Sequence, residues 1–131
     1  MEIKVSISSA VEREASYSMS RLEDFEAFRA EINERVLRAD NRVIKRFFAL
    51  DSDAYTEGAL TLRTKEMLGL VASMVLRCDD CITYHLIRCH EEGVSREELF
   101  EIFSVALIVG GSIVIPHLRR AVATLEELER G

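Results

Sequence analysis

Apolar residues recur at helical spacing along nearly the whole chain. Leu22, Phe25, Phe28, Ile32 and Val36 lie three or four positions apart and would share one helix face. Ahead of them, Ser20-Arg-Leu-Glu23 has the form of a capping box, in which hydroxyl and carboxylate each satisfy a backbone N–H that the first turn leaves unpaired. Val43, Ile44, Phe47 and Phe48 predict a second helix over 41–50, and 51–58 reads as a loop. Leu62, Met67, Leu68, Leu70, Val71, Met74 and Val75 predict a third helix from Thr61 to near Arg77. A fourth begins in the cysteine-rich stretch that follows, with Cys78 or Asp79 near its N-cap. It stops at Gly93, a residue that takes the left-handed conformation closing many helices. Ser95-Arg-Glu-Glu98 is another capping box and opens a helix to about Val109. Gly110-Gly111-Ser112 breaks it, and a last helix covers 113–129 with Pro116 in its first turn, where a missing N–H costs little. Only Ile3, Val5 and Ile7, alternating with Glu2, Lys4 and Ser6, suggest a strand-like segment. The pattern predicts an all-α fold: an N-terminal arm over 1–20, then a single domain of about six helices over 21–131.

Composition narrows the function. The 131 residues suffice for one core and are too few for two domains. A hydrophobic share of 48% beside 31% charged residues is that of a folded chain rather than a disordered one. The net charge of -6 argues against nucleic acid, because nothing forms a basic patch able to neutralise phosphates. The pairs Lys45-Arg46 and Arg119-Arg120 read as solvated helix faces. Residues 1–20 carry Glu2, Lys4, Glu12, Arg13 and Glu14 and have no apolar core of a signal peptide. The longest apolar run, 105–116, is interrupted by Gly110, Gly111 and Ser112 and falls well short of the ~20 residues a membrane span needs. The expected setting is cytoplasmic, with no membrane partner. In that compartment three cysteines point to metal or redox chemistry rather than to a stapled scaffold.

All three lie in Arg77-Cys-Asp-Asp-Cys-Ile-Thr-Tyr-His-Leu-Ile-Arg-Cys89. Four zinc donors, Cys78, Cys81, His85 and Cys89, can be counted there. On a helix, however, the stretch from Cys78 to Cys89 spans about 16 Å, too long for one tetrahedral ion at about 2.0–2.3 Å. Redox chemistry fits the spacing better. Cys78 and Cys81, three apart at a helix start, are near enough to form a disulfide, and His85 lies one turn beyond Cys81 on the same face, where an imidazole can take a thiol proton. If the third and fourth helices form an antiparallel hairpin turning near Arg77, Glu66 falls about level with residue 88 and within a turn of His85. Glu66 stands among Met67, Leu68 and Leu70, where a buried carboxylate requires a partner; the plainer alternative is an exposed Glu66 paired with Arg63 or Arg77. Cys89 reads as a packed core thiol, Tyr84 as helix packing or a substrate contact, His90 as a surface residue, and His117 as a pocket or core histidine. A helix N-terminus favours a thiolate by ~0.3–1 kcal/mol. One carboxylate about 6 Å away opposes it by on the order of 1–3 kcal/mol, so Asp79 and Asp80 can cancel the dipole unless Arg77 compensates.

Glu66, eleven residues, Cys78-Asp-Asp-Cys81, three residues, His85 resembles the signature of the alkylhydroperoxidase D-like branch of the carboxymuconolactone decarboxylase family. Glu92-Gly-Val-Ser-Arg-Glu-Glu-Leu99 and the helix end over 106–111 are similar to that family too, and the likeness extends over about residues 22–126. It implies an all-helical bundle, a homotrimer or homohexamer, and peroxidase-type thiol chemistry without cofactor or metal. Carried over, Cys81 is the peroxidatic thiol, Cys78 the resolving thiol, and Glu66 and His85 the proton relay. The implied partners are a small hydroperoxide or disulfide substrate and a dithiol or lipoyl-bearing electron donor. Asp80 stands where the family's well-characterised peroxidases carry a histidine, so disulfide exchange is a second outlet for the couple. The alternative within the fold is a cofactor-free decarboxylase or lyase acting on a carboxylated lactone, which would use cations such as Arg88, His117 and Arg119 and not the thiols.

Overall fold

The structure is a computed structural model describing residues 21–131, so the arm expected from Ile3, Val5 and Ile7 and the Ser20 cap lie outside the described residues. Six α-helices are present among these residues: α1 over 21–38, α2 over Arg42–Ala54, α3 over Leu62–Val75, α4 over Asp79–Glu91, α5 over Arg96–Gly110 and α6 over Ile115–Arg130. A 3-10 turn at Ser112–Val114 joins α5 to α6. The described chain is all-α, and its contacts divide it at Ala49 into two units.

In the first unit, α1 carries exposed i,i+4 ion pairs, Arg35 with Glu31 at 2.5 Å and Arg38 with Glu34 at 2.6 Å. Asp40 in the left-handed region (φ 59°) turns the chain, and the Asn41 side chain accepts the Ile44 N–H at 3.0 Å to start α2. Helix α2 crosses the division and extends four residues past the expected end at Leu50. Asp51, Ser52 and Asp53 are turn-prone but do not break a helix, and no glycine or proline intervenes before Gly58.

The second unit, from Leu50 to Arg130, holds the core. Helix α3 packs on α4 and α5, and α4 packs on α6. Each helix buries one stripe at helical spacing: Glu66, Leu70, Ser73 and Met74 on α3; Ile82, His85, Leu86 and Cys89 on α4; Leu99, Phe103 and Ala106 on α5; Ala121, Thr124 and Leu125 on α6. Fully burying a Leu, Met or Phe side chain of this set contributes about 1.5–3 kcal/mol. The cap of α5 is the one the pattern predicts, and that of α3 falls at the residue where the pattern starts the helix. Thr61 accepts the Thr64 N–H, and Ser95 and Glu98 form the complete capping box of α5.

Helices α3 and α4 form an antiparallel hairpin closed at Leu76–Cys78. There Arg77 donates its N–H to Met74 O (3.1 Å) and Cys78 to Ser73 O (3.1 Å), the paired bonds of a Schellman ending. The same pair closes α4, from Gly93 to His90 O and from Val94 to Cys89 O. Gly93 takes the left-handed conformation at φ 76° without a Cβ, whereas Arg77 takes it at φ 59° with one. The side-chain-bearing version is the one next to Cys78.

Candidate active site

Cys78 is the N-cap of α4: its backbone is extended (φ -101°, ψ 100°) and its sulfur accepts the Cys81 N–H at 3.3 Å. The two cysteines form a disulfide, with Cα atoms 5.3 Å apart, and Cys89 is free and buried. Cys81 is the exposed member of the couple and Cys78 the half-buried one.

One turn further on, the hairpin brings Glu66 and His85 together. Glu66 is 1% exposed, and its Oε2 lies 2.8 Å from His85 Nδ1. A carboxylate only accepts, so Nδ1 donates and Nε2 is left with the lone pair that can take a proton. The second oxygen of Glu66 faces Arg88 Nε at 3.6 Å, and Arg88 also pairs with Glu91 and Glu92. The alternative of an exposed Glu66 held by Arg63 or Arg77 does not occur; Arg63 instead pairs with Glu98.

Two tyrosines lie beside His85: Tyr84, read from the sequence as helix packing or a substrate contact, and Tyr55, which the sequence did not single out. Tyr55 and Tyr84 stand against the imidazole, with ring centroids 5.5 Å and 5.1 Å away, Tyr84 edge-on. Burial first, then the Glu66 charge, raises the Tyr55 phenol, which therefore stays a hydrogen-bond donor. Gly69 makes room for both: a Cβ there would lie 2.6 Å from His85 Cε1, 2.8 Å from Nε2 and 2.7 Å from the Tyr55 hydroxyl. The sequence signal was present, an isolated glycine inside an otherwise strong helical pattern.

The remaining candidates separate by environment. Cys89 is fully buried, and burial together with the nearby Glu66 charge pushes its thiol up to about 12, so it is inert near neutral pH. His90 is exposed. His117 is neither a lone pocket histidine nor a core one. Its Nδ1 lies 2.7 Å from Asp79 Oδ1, and Arg120 reaches Oδ2 of the same carboxylate at 3.2 Å. Asp80 is exposed. Among the described residues no three His, Cys, Asp or Glu side chains are grouped to hold a metal ion, and no helix is long and apolar enough to cross a membrane.

The structure thus places a disulfide at the start of α4 and, one turn along, an imidazole bonded to a buried carboxylate. Comparison with known proteins agrees in fold and family. A Thermotoga maritima protein of known structure is 60% identical over 82% of this chain and 95% of its own, with a TM-score of 0.81. A second structure from that organism, 61% identical over 82% of this chain and 91% of its own with a TM-score of 0.78, is described as a carboxymuconolactone decarboxylase family protein with a suggested part in the antioxidative response. A carboxymuconolactone decarboxylase family protein of Legionella pneumophila, solved in its apo form, is 26% identical over 86% of this chain and 95% of its own, with a TM-score of 0.64. Uncharacterised protein 4 of the cox locus in Paracoccus denitrificans is 29% identical over 92 residues, 70% of this chain and 83% of its own. The model of the carboxymuconolactone decarboxylase family matches residues 42–124, and the chain belongs to that family.

Proposed function

We propose that the protein is a thiol-dependent oxidoreductase that reduces hydroperoxides, or disulfides, through the Cys78–Cys81 couple. The observation that carries this reading is the disulfide at the start of α4 with the Glu66–His85 pair one turn below it. His85 Nε2 takes the proton of the Cys81 thiol, and the thiolate attacks the distal oxygen of a hydroperoxide. The O–O bond breaks, the sulfur is oxidised to a sulfenic acid, and the departing alkoxide takes the proton back from His85. The Cys78 thiol then attacks the sulfenic sulfur, its proton leaves with the hydroxide as water, and the disulfide forms. A dithiol donor, lipoyl-bearing or soluble, restores both thiols by exchange. Exposure of Cys81 suits the attacking role, and half-burial of Cys78 suits the resolving one. Such a cycle needs a reducing compartment, which fits a cytoplasmic setting.

The protein works as a closed homo-oligomer, a trimer or hexamer, in this reading. Leu68, Leu76, Val105, Ile108, Val109 and Ile113 are all more than half exposed, from 51% to 87%, a density of large apolar side chains that a second copy would cover. Light scattering at micromolar concentration should give a multiple of three chains; a monomer would refute it.

The deciding experiment follows hydroperoxide consumption with a panel of dithiol donors. Wild type should turn over, Cys81→Ser should be inactive, and Cys78→Ser should react once and stop. Turnover that survives replacement of both cysteines would overturn the reading. Decarboxylation of a lactone acid by that double variant would favour the lyase alternative, whose cations Arg88 and His117 are already engaged by Glu66, Glu91, Glu92 and Asp79.

A further inference from the structure

The sequence places two carboxylates, Asp79 and Asp80, between the cysteines of a couple whose chemistry requires a thiolate. Such charges oppose ionisation of a neighbouring thiol as strongly as the helix N-terminus favours it. The structure treats the two differently. Asp80 is exposed to solvent. Asp79 is held on both oxygens from α6, by His117 Nδ1 at 2.7 Å and by the permanently charged guanidinium of Arg120 at 3.2 Å. His117 is shielded, its side chain 17% exposed, whereas the Asp79 side chain is 44% exposed, so water reaches the carboxylate side of the pair. Among the described residues no other side-chain ion pair links the first turn of α4 to another helix.

We infer that His117 and Arg120 are positioning residues for the cysteine couple: the His117 hydrogen bond holds Asp79 and the Arg120 guanidinium offsets its charge, so that it opposes the thiolate less, and together they set the acidity and reduction potential of Cys78–Cys81. The inference rests on the redox reading of the couple but not on the identity of its substrate. The charged and titratable groups adjoining the couple in sequence or through these contacts are Arg77 in the preceding turn, Asp79, Asp80 and His85 on α4, Glu66 on α3, and His117 and Arg120 on α6. Of these, Glu66 and His85 are satisfied by each other, and Asp79 is the one first-turn acid whose charge a second helix offsets. Removing that offset disfavours the thiolate, and a destabilised reduced form makes the couple more reducing.

The test is a double-mutant cycle read without peroxide. Thiolate formation is followed by absorbance in the Cys78→Ser and Cys81→Ser single-thiol backgrounds, and the potential of the intact couple by equilibration with glutathione. Arg120→Ala should raise the thiol midpoint by about half to one pH unit, as expected for one uncompensated charge near 6 Å, and His117→Ala, which removes a hydrogen bond to the same carboxylate, should raise it by less. Arg120→Lys should restore most of the shift. In an Asp79→Asn background both alanine variants should have no effect, which a purely structural tie between α4 and α6 would not produce. Unchanged midpoints in Arg120→Ala, a residue whose side chain is 61% exposed and so tolerates replacement, would overturn the inference. A shift that persists undiminished with Asp79→Asn would overturn it as well. A protein that titrates as described yet consumes no hydroperoxide would refute the proposed function alone.

Discussion

Two imidazole–carboxylate pairs attend the cysteine couple, and they differ in what surrounds them. His85 and Glu66 meet in the interior at 2.8 Å, with the glutamate side chain 1% exposed. His117 and Asp79 meet at 2.7 Å, with the aspartate side chain 44% exposed. The bonds are alike and their consequences are not. Inside, a carboxylate that loses its partner finds no water to replace it, so the pair stands or falls together. At the rim water substitutes readily, and the pair adds little to stability; what it changes is the local field. The depth of each pair, and not its residue types, decides what breaking it costs.

The sharpest contrast should appear in thiol labelling. Cys89 lies on the buried side with its thiol pushed up to about 12, against 9.0 for an ordinary one. At pH 8 its thiolate fraction is then roughly a thousandfold lower than that of an unshifted thiol. Iodoacetamide added to reduced protein should label Cys81 first and leave Cys89 untouched until unfolding, as peptide mapping would show. The linked stability effect has a definite sign. The raised thiol favours the native state fully below about pH 9, and that contribution is lost as pH rises towards 12; Cys89→Ala should flatten this alkaline loss.

Next comes unfolding by denaturant. Replacing Glu66 with Ala strands the buried His85 and should cost about 3 kcal/mol, whereas Asp79→Ala should cost under about 1 kcal/mol. Equal losses would erase the distinction between the pairs. Gly69→Ala should cost about 1–3 kcal/mol, since its Cβ must displace the His85 ring and the Tyr55 hydroxyl. It should also slow alkylation of Cys81, while leaving the midpoint shift caused by Arg120→Ala intact. The smallest effect concerns the turn before Cys78. Arg77→Gly removes a Cβ from a left-handed residue and should stabilise the protein by up to about 1 kcal/mol, with both pairs unchanged. Destabilisation there would mean that the Arg77 side chain contributes more than its backbone costs.

Much of this was legible in the linear chain. Six helices follow from apolar spacing and from caps, and the Thr61, Ser95 and Gly93 boundaries fall where local chemistry puts them. The end of α2 was misplaced because polar residues resemble a loop in sequence while remaining compatible with a helix. The Glu66–His85 meeting could be anticipated because a tight hairpin converts sequence distance into height along two helices. Its neighbours could not be: Tyr55 comes from outside the hairpin, and only the space above Gly69 shows that it reaches the imidazole.

The chain by itself determined the helices, a start of α4 at Cys78 or Asp79 and the one-turn offset between Cys81 and His85, because all of these are set within a few residues by backbone hydrogen bonding and helical period. Tertiary structure decided how the charges compensate. Asp79 and Asp80 are adjacent and chemically identical, and nothing local distinguishes them. Packing of α6 on α4, 38 and 41 residues away along the chain, gives one of them His117 and Arg120 and leaves the other exposed. Coulomb interactions depend on distance through space and on burial, and neither can be read from the order of residues.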